Sequence, residues 1–206
     1  MKPHPPAGGL RERKKRKTRA AIQREALRLF LEQGYDETTI EQIAEAAEVS
    51  PSTFFNYFPT KEDVVLTDDF DPLFVSRFAA RPGDEPISVA LRRTFAELMT
   101  GVTEPERELM LARGRLTMGV PALRARVWDE LERGQDLLAD LLARRTGVDR
   151  GDFELRVVAT AVVGAMYTAS IEWQRSEGRA DLADLVDRAL RVIDVNALLQ
   201  RVPHTT

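Results

Sequence analysis

The segment VSPSTFFNYFPTK, residues 49–61, gathers side chains that could either build a core or meet a partner. Asn56 and the phenol of Tyr57 can form hydrogen bonds, whereas plain phenyl rings offer apolar surface. The chain has nine Phe, three Tyr and two Trp, and four of these 14 aromatic residues fall within five positions. They are Phe54, Phe55, Tyr57 and Phe58.

A run of positive charge near the N-terminus is the second group with a recognisable chemistry. Residues 2–28 contain ten Lys and Arg against two acids, which gives +8 in a chain of net charge −3 and leaves −11 for the remainder. This asymmetry is typical of a protein end that faces a polyanion. The alternative is a solvated, disordered tail. The central cations of this positively charged run are Lys14, Lys15, Arg16, Lys17 and Arg19.

Residues suited to catalysis or metal binding are scarce. The chain has no cysteine, and its two histidines, His4 and His204, lie near the ends. An enzyme would therefore depend on the acidic cluster of Asp68, Asp69 and Asp71, which without His or Cys could bind only a hard metal ion. A solvated acidic face explains that cluster better, and no phosphate loop, nucleophile elbow or HExxH pattern is present. We expect neither an enzyme nor a cofactor.

The residues before the aromatic segment predict an arm and a first helix. Pro and Gly in MKPHPPAGGL indicate irregular structure, and we expect residues 1–17 to form a disordered basic arm. Apolar residues follow helical spacing from Thr18 to Gln33, and Gly34 supplies a stop signal. The apolar positions are Ile22, Ala26, Leu29 and Phe30.

Capping residues mark the starts of three further helices. Thr39, with Gln three positions later, forms a capping box that opens a second helix ending by about Glu48. Ser50 can cap a third helix with Pro51 at its first position, and Thr60 can cap a fourth. Two short helices joined by a tight turn form a helix-turn-helix unit.

Helical geometry divides the four aromatic residues of the third helix. Pro59 disfavours helical geometry at the residue before it, so the helix is short. Phe54 and Phe58 are four residues apart and share one face, which we expect to be core. Asn56 and Tyr57 lie away from that stripe, and Phe55 is turned by about 100° from Phe54.

The rest of the chain remains helical. Gly and Pro residues separate expected helices at about 86–101, 105–117, 121–146, 152–177 and 181–199. The fold class is all-α, with a helix-turn-helix domain over residues 18–64 and a larger helical domain over 65–206. No stretch resembles a signal peptide, and the uncharged run 157–171 is shorter than the roughly 20 residues that span a bilayer. We expect a cytoplasmic protein.

The stretch TTIEQIAEAAEVSPSTFFNYFPTKEDVV, residues 38–65, with the preceding LFLEQGYDETT, resembles the DNA-binding signature of TetR-type transcriptional regulators. In the C-terminal part, ARPGDEP, LARGRLTMGVPALRARVWDEL and AVVGA resemble one actinobacterial branch, which contains the mycofactocin-system regulators. The resemblance implies a homodimeric repressor that binds a palindromic DNA operator. It also implies a small-molecule effector, of which acyl-CoA-like compounds are one suggested class.

The family pattern, carried over position by position, implies a set of DNA-contacting residues. The third helix would enter the major groove, Lys61 would hold a phosphate, and Thr39 would touch the backbone. The arm would contact the backbone or minor groove through Lys14, Lys15, Arg16, Lys17 and Arg19. The contacts from the third helix would be Ser52, Thr53, Phe55, Asn56 and Tyr57.

Two positions depart from the family pattern. Phe55 stands where the family usually has tyrosine, so it lacks the hydroxyl that bonds a phosphate and offers only apolar contact, for example to a thymine methyl. Glu48 stands where glycine is common. A left-handed Glu would cost roughly 1 kcal/mol relative to glycine, so we expect a differently shaped turn.

The resemblance implies that the second domain binds the effector and forms the dimer. Met and aromatic residues at helical spacing are more often core, but a pocket could use them, with Arg115 as the charge for an anionic ligand. The small-residue helix containing AVVGA suits a dimeric four-helix bundle with the last helix, or an ordinary buried helix. The candidate pocket residues are Phe74, Phe95, Met99, Arg115, Met118, Trp128, Met166, Tyr167, Ser170 and Trp173.

A nonspecific, architectural DNA-binding protein is the third alternative. It would share the basic arm but would need neither a pocket nor an effector.

Overall fold

The computed structural model describes residues 9–67 and 70–200. The expected disorder of residues 1–8 and two members of the acidic cluster, Asp68 and Asp69, therefore lie outside the described residues. All regular secondary structure in the described ranges is α-helical, which confirms the predicted fold class. The chain divides into two compact units. The first takes the described residues up to Thr67 together with Leu116–Arg124, and the second takes the rest.

The first unit contains the helix-turn-helix, and its helices begin where the capping residues predicted. Thr39 accepts a hydrogen bond from the backbone N–H of Gln42, whose side chain in turn accepts from the N–H of Thr39. Thr60 forms the same reciprocal pair with Asp63, and Ser50 caps the helix before it by accepting from the backbone N–H of Thr53. The helices are α1 (Leu10–Gln33), α2 (Ile40–Ala46), α3 (Pro51–Tyr57) and α4 (Lys61–Leu66).

Apolar side chains from α1, α2 and α3 form the core of this unit. Ile22, Ile43, Phe54 and Phe58 are each fully buried, which confirms that the two phenylalanines of the third helix are core. Gln23 of α1 donates from Nε2 to two carbonyl oxygens at the end of α4, 2.6 and 3.2 Å away. These hydrogen bonds join α1 to the end of α4.

The first helix is longer than the sequence predicted. It begins at Leu10 rather than Thr18, so the expectation of a disordered arm is wrong for residues 10–17. Lys and Arg are good helix formers, and no Pro or Gly follows Gly9 until Gly34. Residues 10–17 therefore extend α1 towards the N-terminus and do not form an irregular arm.

The turn between α2 and α3 also differs from expectation. Glu48 adopts φ +54°, so it occupies the left-handed position usually filled by glycine, and the altered turn that we expected is not formed. The backbone N–H of Val49 donates to Ala44, 2.9 Å away, which closes the end of α2 around this residue. The turn keeps its shape, and the left-handed backbone of Glu48 is less stable there than that of a glycine would be.

Beyond Thr67 the helices follow the predicted order with three corrections. The predicted fourth helix ends at Leu66, and an unpredicted helix carries Asp71, exposed, in its first turn. The predicted helices at 121–146 and 181–199 each divide in two, the second because Asp194 (φ +38°) caps a new helix. The helices are α5 (Phe70–Ala79), α6 (Ile87–Thr100), α7 (Glu104–Gly119), α8 (Pro121–Ala125), α9 (Val127–Thr146), α10 (Phe153–Arg175), α11 (Leu182–Val192) and α12 (Val195–Leu199).

The second unit is built around α10, which packs against α9, α11 and α12. Arg92 of α6 pairs with Asp187 of α11, and Asn196 of α12 exchanges hydrogen bonds with Ser88. By length and composition α10 could cross a bilayer, with 23 residues and a mean hydropathy of 1.2, but a single such helix is weak evidence. Its place in this core explains its apolar character.

The loop ARPGDEP is held by a network of ion pairs. Arg81 reaches Glu85 at 2.5 and 3.1 Å and Glu97 at 2.9 Å, and Arg93 reaches Glu85 at 2.8 Å. Arg145 of α9 donates to the carbonyl oxygens of Pro82 and Glu85. The hydrogen bond from Arg81, with help from Arg93, holds the pKa of Glu85 below its ordinary value.

Replacing Glu48 with Gly should raise the free energy of unfolding by about 0.5–1 kcal/mol, because glycine removes the left-handed penalty but adds some unfolded-state entropy. Glu45→Gly, at an exposed helical position, is the matched control and should lower it by about 1 kcal/mol. Urea denaturation of both variants measures the two values. Equal destabilisation would contradict the strained turn.

Replacing Glu85 with Gln should destabilise the second unit at neutral pH. A carboxylate whose pKa is lowered by folding stabilises the protein above its unfolded pKa, and this contribution is lost as the pH falls through the folded pKa. The difference in melting temperature from the unmodified protein should therefore shrink below about pH 4.5. Glu97→Gln removes a more exposed partner of Arg81 and should have a smaller effect; an equal effect would show that Glu85 has no special role.

Candidate nucleic-acid interface and effector cavity

The helix α3 presents one apolar and one polar side. Phe54 and Phe58 point into the core, whereas Phe55 is 50% exposed and packs edge-on against Phe54 at 5.6 Å between ring centroids. Asn56 is exposed and Tyr57 is half-buried. In the described part of the chain the side chains of Asn56 and Tyr57 make no hydrogen bond, so both are available to a partner.

Hydroxyl groups cluster at the start of α3. The Ser50 Oγ accepts from the backbone N–H of Thr53 at 3.1 Å and shares hydrogen bonds with Ser52 Oγ at 2.9 Å and Thr53 Oγ1 at 2.8 Å. Ser52 is exposed and Thr53 half-buried. This network fixes the rotamers of both predicted DNA contacts before any partner arrives.

Lys61 is turned inward, in contrast to its predicted contact with a phosphate. Its Nζ donates to the carbonyl oxygens of Tyr35 at 2.8 Å and Thr38 at 3.1 Å, and lies 4.2 Å from the centre of the Tyr35 ring. These carbonyls belong to the turn just before α2. Because two of its three donors are occupied, Lys61 in this structure positions Thr39 and α2.

Thr39 lies at the exposed start of α2, as predicted. Its hydroxyl oxygen already accepts from Gln42, but its O–H can still donate to an oxygen of the DNA backbone. The Gln42 side chain also accepts from Gln33 at 2.9 Å, which ties the start of α2 to the end of α1. The capping box therefore holds the Thr39 hydroxyl in a fixed place.

The predicted arm residues divide into one packed residue and four exposed ones. Arg19 is half-buried, and its guanidinium lies 4.7 Å from the centre of the Phe58 ring, so it belongs to the folded unit rather than to a free arm. The exposed cations stand on the first turns of α1. They are Lys14, Lys15, Arg16 and Lys17.

A cavity of about 170 Å³ lies in the second unit, between the end of α6, the start of α7, the end of α10 and the start of α11. Two of the ten predicted pocket residues, Met99 and Trp173, line it. Its charged groups are Arg107 and Asp181, neither of which was predicted. The other lining residues are Thr100, Val102, Met110, Leu182 and Ala183.

The remaining predicted pocket residues lie elsewhere than on this cavity. Phe74 and Phe95 belong to the hydrophobic core, where Phe70 packs against both. The side chain of Ser170 is occupied by a hydrogen bond to the Met166 carbonyl at 3.0 Å, and Tyr167 is half-buried. Arg115 and Met118 are exposed, and Trp128 is 75% exposed in the first turn of α9.

Trp128 lies off this cavity and Arg107 lies on it, both in contrast to expectation and for opposite reasons. A tryptophan is usually buried, but α9 packs through Leu138, Ala139, Leu141 and Leu142 further along. A charged residue in the first turn of a helix usually faces solvent. Only the convergence of four helix ends brings Arg107 to the cavity, and no local signal reveals it.

Small residues bring α7 close to α10 beside the cavity. A Cβ atom at Gly114 would lie 1.9 Å from Nε2 of Gln174, and one at Gly178 would lie 2.8 Å from a methyl group of Leu111. Gln174 also donates to the Met110 carbonyl at 3.3 Å. At this point α7 contacts the end of α10 and the residues that follow it.

Two family models match most of the chain. One, described as bacterial regulatory proteins of the TetR family, matches residues 22–67. The other, described as the MftR C-terminal domain, matches residues 85–196. The two matches coincide with the helix-turn-helix and with the helices that surround the cavity.

Named relatives agree with these matches. The chain is 40% identical over 177 residues to the HTH-type transcriptional regulator TcmR of Streptomyces glaucescens, covering 82% of this chain and 78% of the relative. It is 27% identical over 175 residues to the mycofactocin biosynthesis transcriptional regulator MftR of Mycobacterium tuberculosis, covering 82% and 85%. Among solved structures, it is similar to Thermus thermophilus FadR, a TetR-family repressor in complex with lauroyl-CoA. That match has 34% identity, a TM-score of 0.56, and coverage of 91% of this chain and 99% of that one.

The families and relatives are transcriptional regulators rather than enzymes. In the described ranges, no group of three His, Asp or Glu side chains could hold a metal ion. The helix-turn-helix geometry, the two family matches and the 40% identity to TcmR agree. The chain belongs to the TetR family of bacterial transcriptional regulators.

Proposed function

We propose that this protein is a cytoplasmic, ligand-responsive repressor that binds a palindromic operator as a homodimer and releases it when a small amphipathic effector binds. The observation that carries the proposal is the arrangement of α3. Two buried phenyl rings anchor the helix, and its polar side chains lie on the other side, with the hydroxyls of Ser52 and Thr53 held by Ser50. A short helix displayed in this way fits the major groove of DNA.

Each exposed group on α3 suits a different part of the DNA. The Asn56 amide can both donate and accept, as the edge of adenine requires, and Phe55 offers an apolar surface to a thymine methyl group. Thr53 and Tyr57 carry hydroxyls suited to backbone oxygens. With Thr39 at the start of α2, they form one surface that combines sequence readout with positioning.

The outer side of α10 supports dimerisation through this helix. Phe153 is 73% exposed and Val157 46% exposed, and Thr160, Gly164 and Thr168 continue the same face at helical spacing. Val192, at the end of α11, is 85% exposed. Apolar and small residues in such a stripe fit a four-helix bundle between two copies, in which α10 and α11 of each copy take part. The domain of residues 65–206 would then serve both dimerisation and effector binding.

The cavity supports an effector with an apolar part and a polar end. Met99, Met110 and Trp173 supply apolar wall, whereas Arg107 and Asp181 supply charge. At about 170 Å³ it is close to the roughly 150 Å³ that holds benzene, and smaller than the usual pocket for a drug-sized ligand. It therefore admits a small molecule or the end of an acyl chain, and the lauroyl-CoA bound by FadR makes acyl thioesters the first class to test.

DNA binding should be specific and should depend on Tyr57. The protein should prefer a duplex from its own upstream region over a scrambled duplex by more than about 10³-fold at physiological salt, measured by mobility shift. Tyr57→Ala should cost about 1–3 kcal/mol of operator affinity with an unchanged melting temperature. A preference below about tenfold would favour the architectural alternative, and unfolding of the variant would show that Tyr57 is core.

Filling the cavity should block the effector but not the operator. Ala183→Leu adds side-chain volume to the cavity wall. If an effector in the cavity then meets an overpacking cost of about 1–3 kcal/mol, it should bind about 5–150-fold more weakly. Release of operator DNA by lauroyl-CoA and shorter acyl-CoAs should therefore need that much more ligand. The control is Trp128→Ala, which removes an exposed ring that lies off the cavity. Loss of response in the control alone would place the effector elsewhere.

A further inference from the structure

The first two turns of α1 carry a dense positive charge on a helix. Six of the seven residues from Arg11 to Lys17 are Lys or Arg, and all six are exposed. They are continuous with the rest of α1, which runs without interruption to Gln33. Because a helix fixes the direction of every side chain, these cations are not equivalent.

One face of this basic segment continues the packed side of α1. Arg11, Lys15 and Arg19 follow each other at intervals of four residues, and they lie on the same side as the buried Ile22 and Ala26. The guanidinium of Arg19 already touches Phe58, the residue that ends α3. Arg11 and Lys15 therefore project on the side of α3, two turns and one turn, respectively, before that contact.

The opposite face of this basic segment points away from α3. Arg13 and Lys17 lie roughly 200° around the helix from Arg11 and Lys15, respectively. Further along the same outer side, Arg24 and Arg28 are exposed and paired with acids, Arg24 with Glu25 and Arg28 with Glu25 and Glu32. The hydrogen bond from Arg28 holds the pKa of Glu25 below its ordinary value.

The width of a helix restricts what this segment can touch. An α-helix with side chains is about 10–12 Å across, whereas the minor groove of B-DNA is about 6 Å wide. A basic arm can enter the minor groove only as an extended chain, and residues 10–17 are not extended. The major groove is wide enough for a helix, but the proposed function places α3 there. The sugar–phosphate backbone beside it is then the part of the duplex that this rigid basic helix can reach.

We propose that the first two turns of α1 form a rigid extension of the DNA-binding surface, in which Arg11 and Lys15 contact backbone phosphates and Arg13 and Lys17 do not. The proposal rests on the proposed DNA-binding function. It assigns the extension to affinity rather than sequence readout, because phosphate contacts are the same for every sequence. It also gives the helix a reason to persist in the complex, since phosphates relieve the repulsion between cations four residues apart.

Two double variants with the same change in charge test the proposal. Arg11→Gln/Lys15→Gln alters the inner face, and Arg13→Gln/Lys17→Gln alters the outer face; glutamine keeps a helix propensity close to that of Lys and Arg. The probe is a duplex selected by the unmodified protein from a random pool, with a scrambled duplex beside it. Affinity is measured at several salt concentrations, and circular dichroism checks that helix content is unchanged.

With the inner double variant, affinity should fall less steeply with salt concentration, and the magnitude of the slope of log affinity against log salt should decrease by about 2. This corresponds to roughly 30-fold weaker binding at 0.15 M salt, on both duplexes. The outer double variant should change the slope by much less than about 0.9, the change that the loss of one phosphate contact produces. Equal losses from the two variants would show a flexible arm and overturn the proposal, as would no loss from either or a greater loss from the outer pair. The proposed function fails separately, if the unmodified protein binds both duplexes alike.

Discussion

The burial of Phe54 and Phe58 is the constraint on which the DNA-binding unit depends. Phe54 lies within the seven-residue helix α3 and Phe58 directly follows it, so burial of both rings fixes the direction of the other side chains on α3. The caps at Ser50 and Thr60 set where α3 and α4 begin. Asn56 is exposed and Tyr57 half-buried because the helix has no freedom to turn them inward.

Charged side chains also hold this unit together. Lys61 bonds to the carbonyls before α2, and Arg19 lies on the Phe58 ring, so two cations predicted to contact DNA have partners within the unit. In the second unit, Gly114 leaves room for the side chain of Gln174 and Gly178 for that of Leu111, where α7 meets the end of α10.

The sequence predicted features that depend on neighbouring residues and missed those that depend on distant ones. The cap at Thr39 and the buried face of α3 follow from spacings of three and four residues, and both are confirmed. The inward turn of Lys61 depends on carbonyls 23 and 26 residues away, and Arg107 reaches the cavity only when four helices meet. Glu48 shows a third case, in which the fold imposes a turn that the residue itself disfavours.

The central claim is that α3 from each of two copies lies in the major groove. Methylation protection with dimethyl sulfate tests it directly, because guanine N7 lies in the major groove and adenine N3 in the minor groove. The account predicts two patches of guanine N7 protection separated by about one helical turn or a multiple of it, with adenine N3 exposed between and beside them. A single patch, uniform protection, or protection of adenine N3 alone would contradict it.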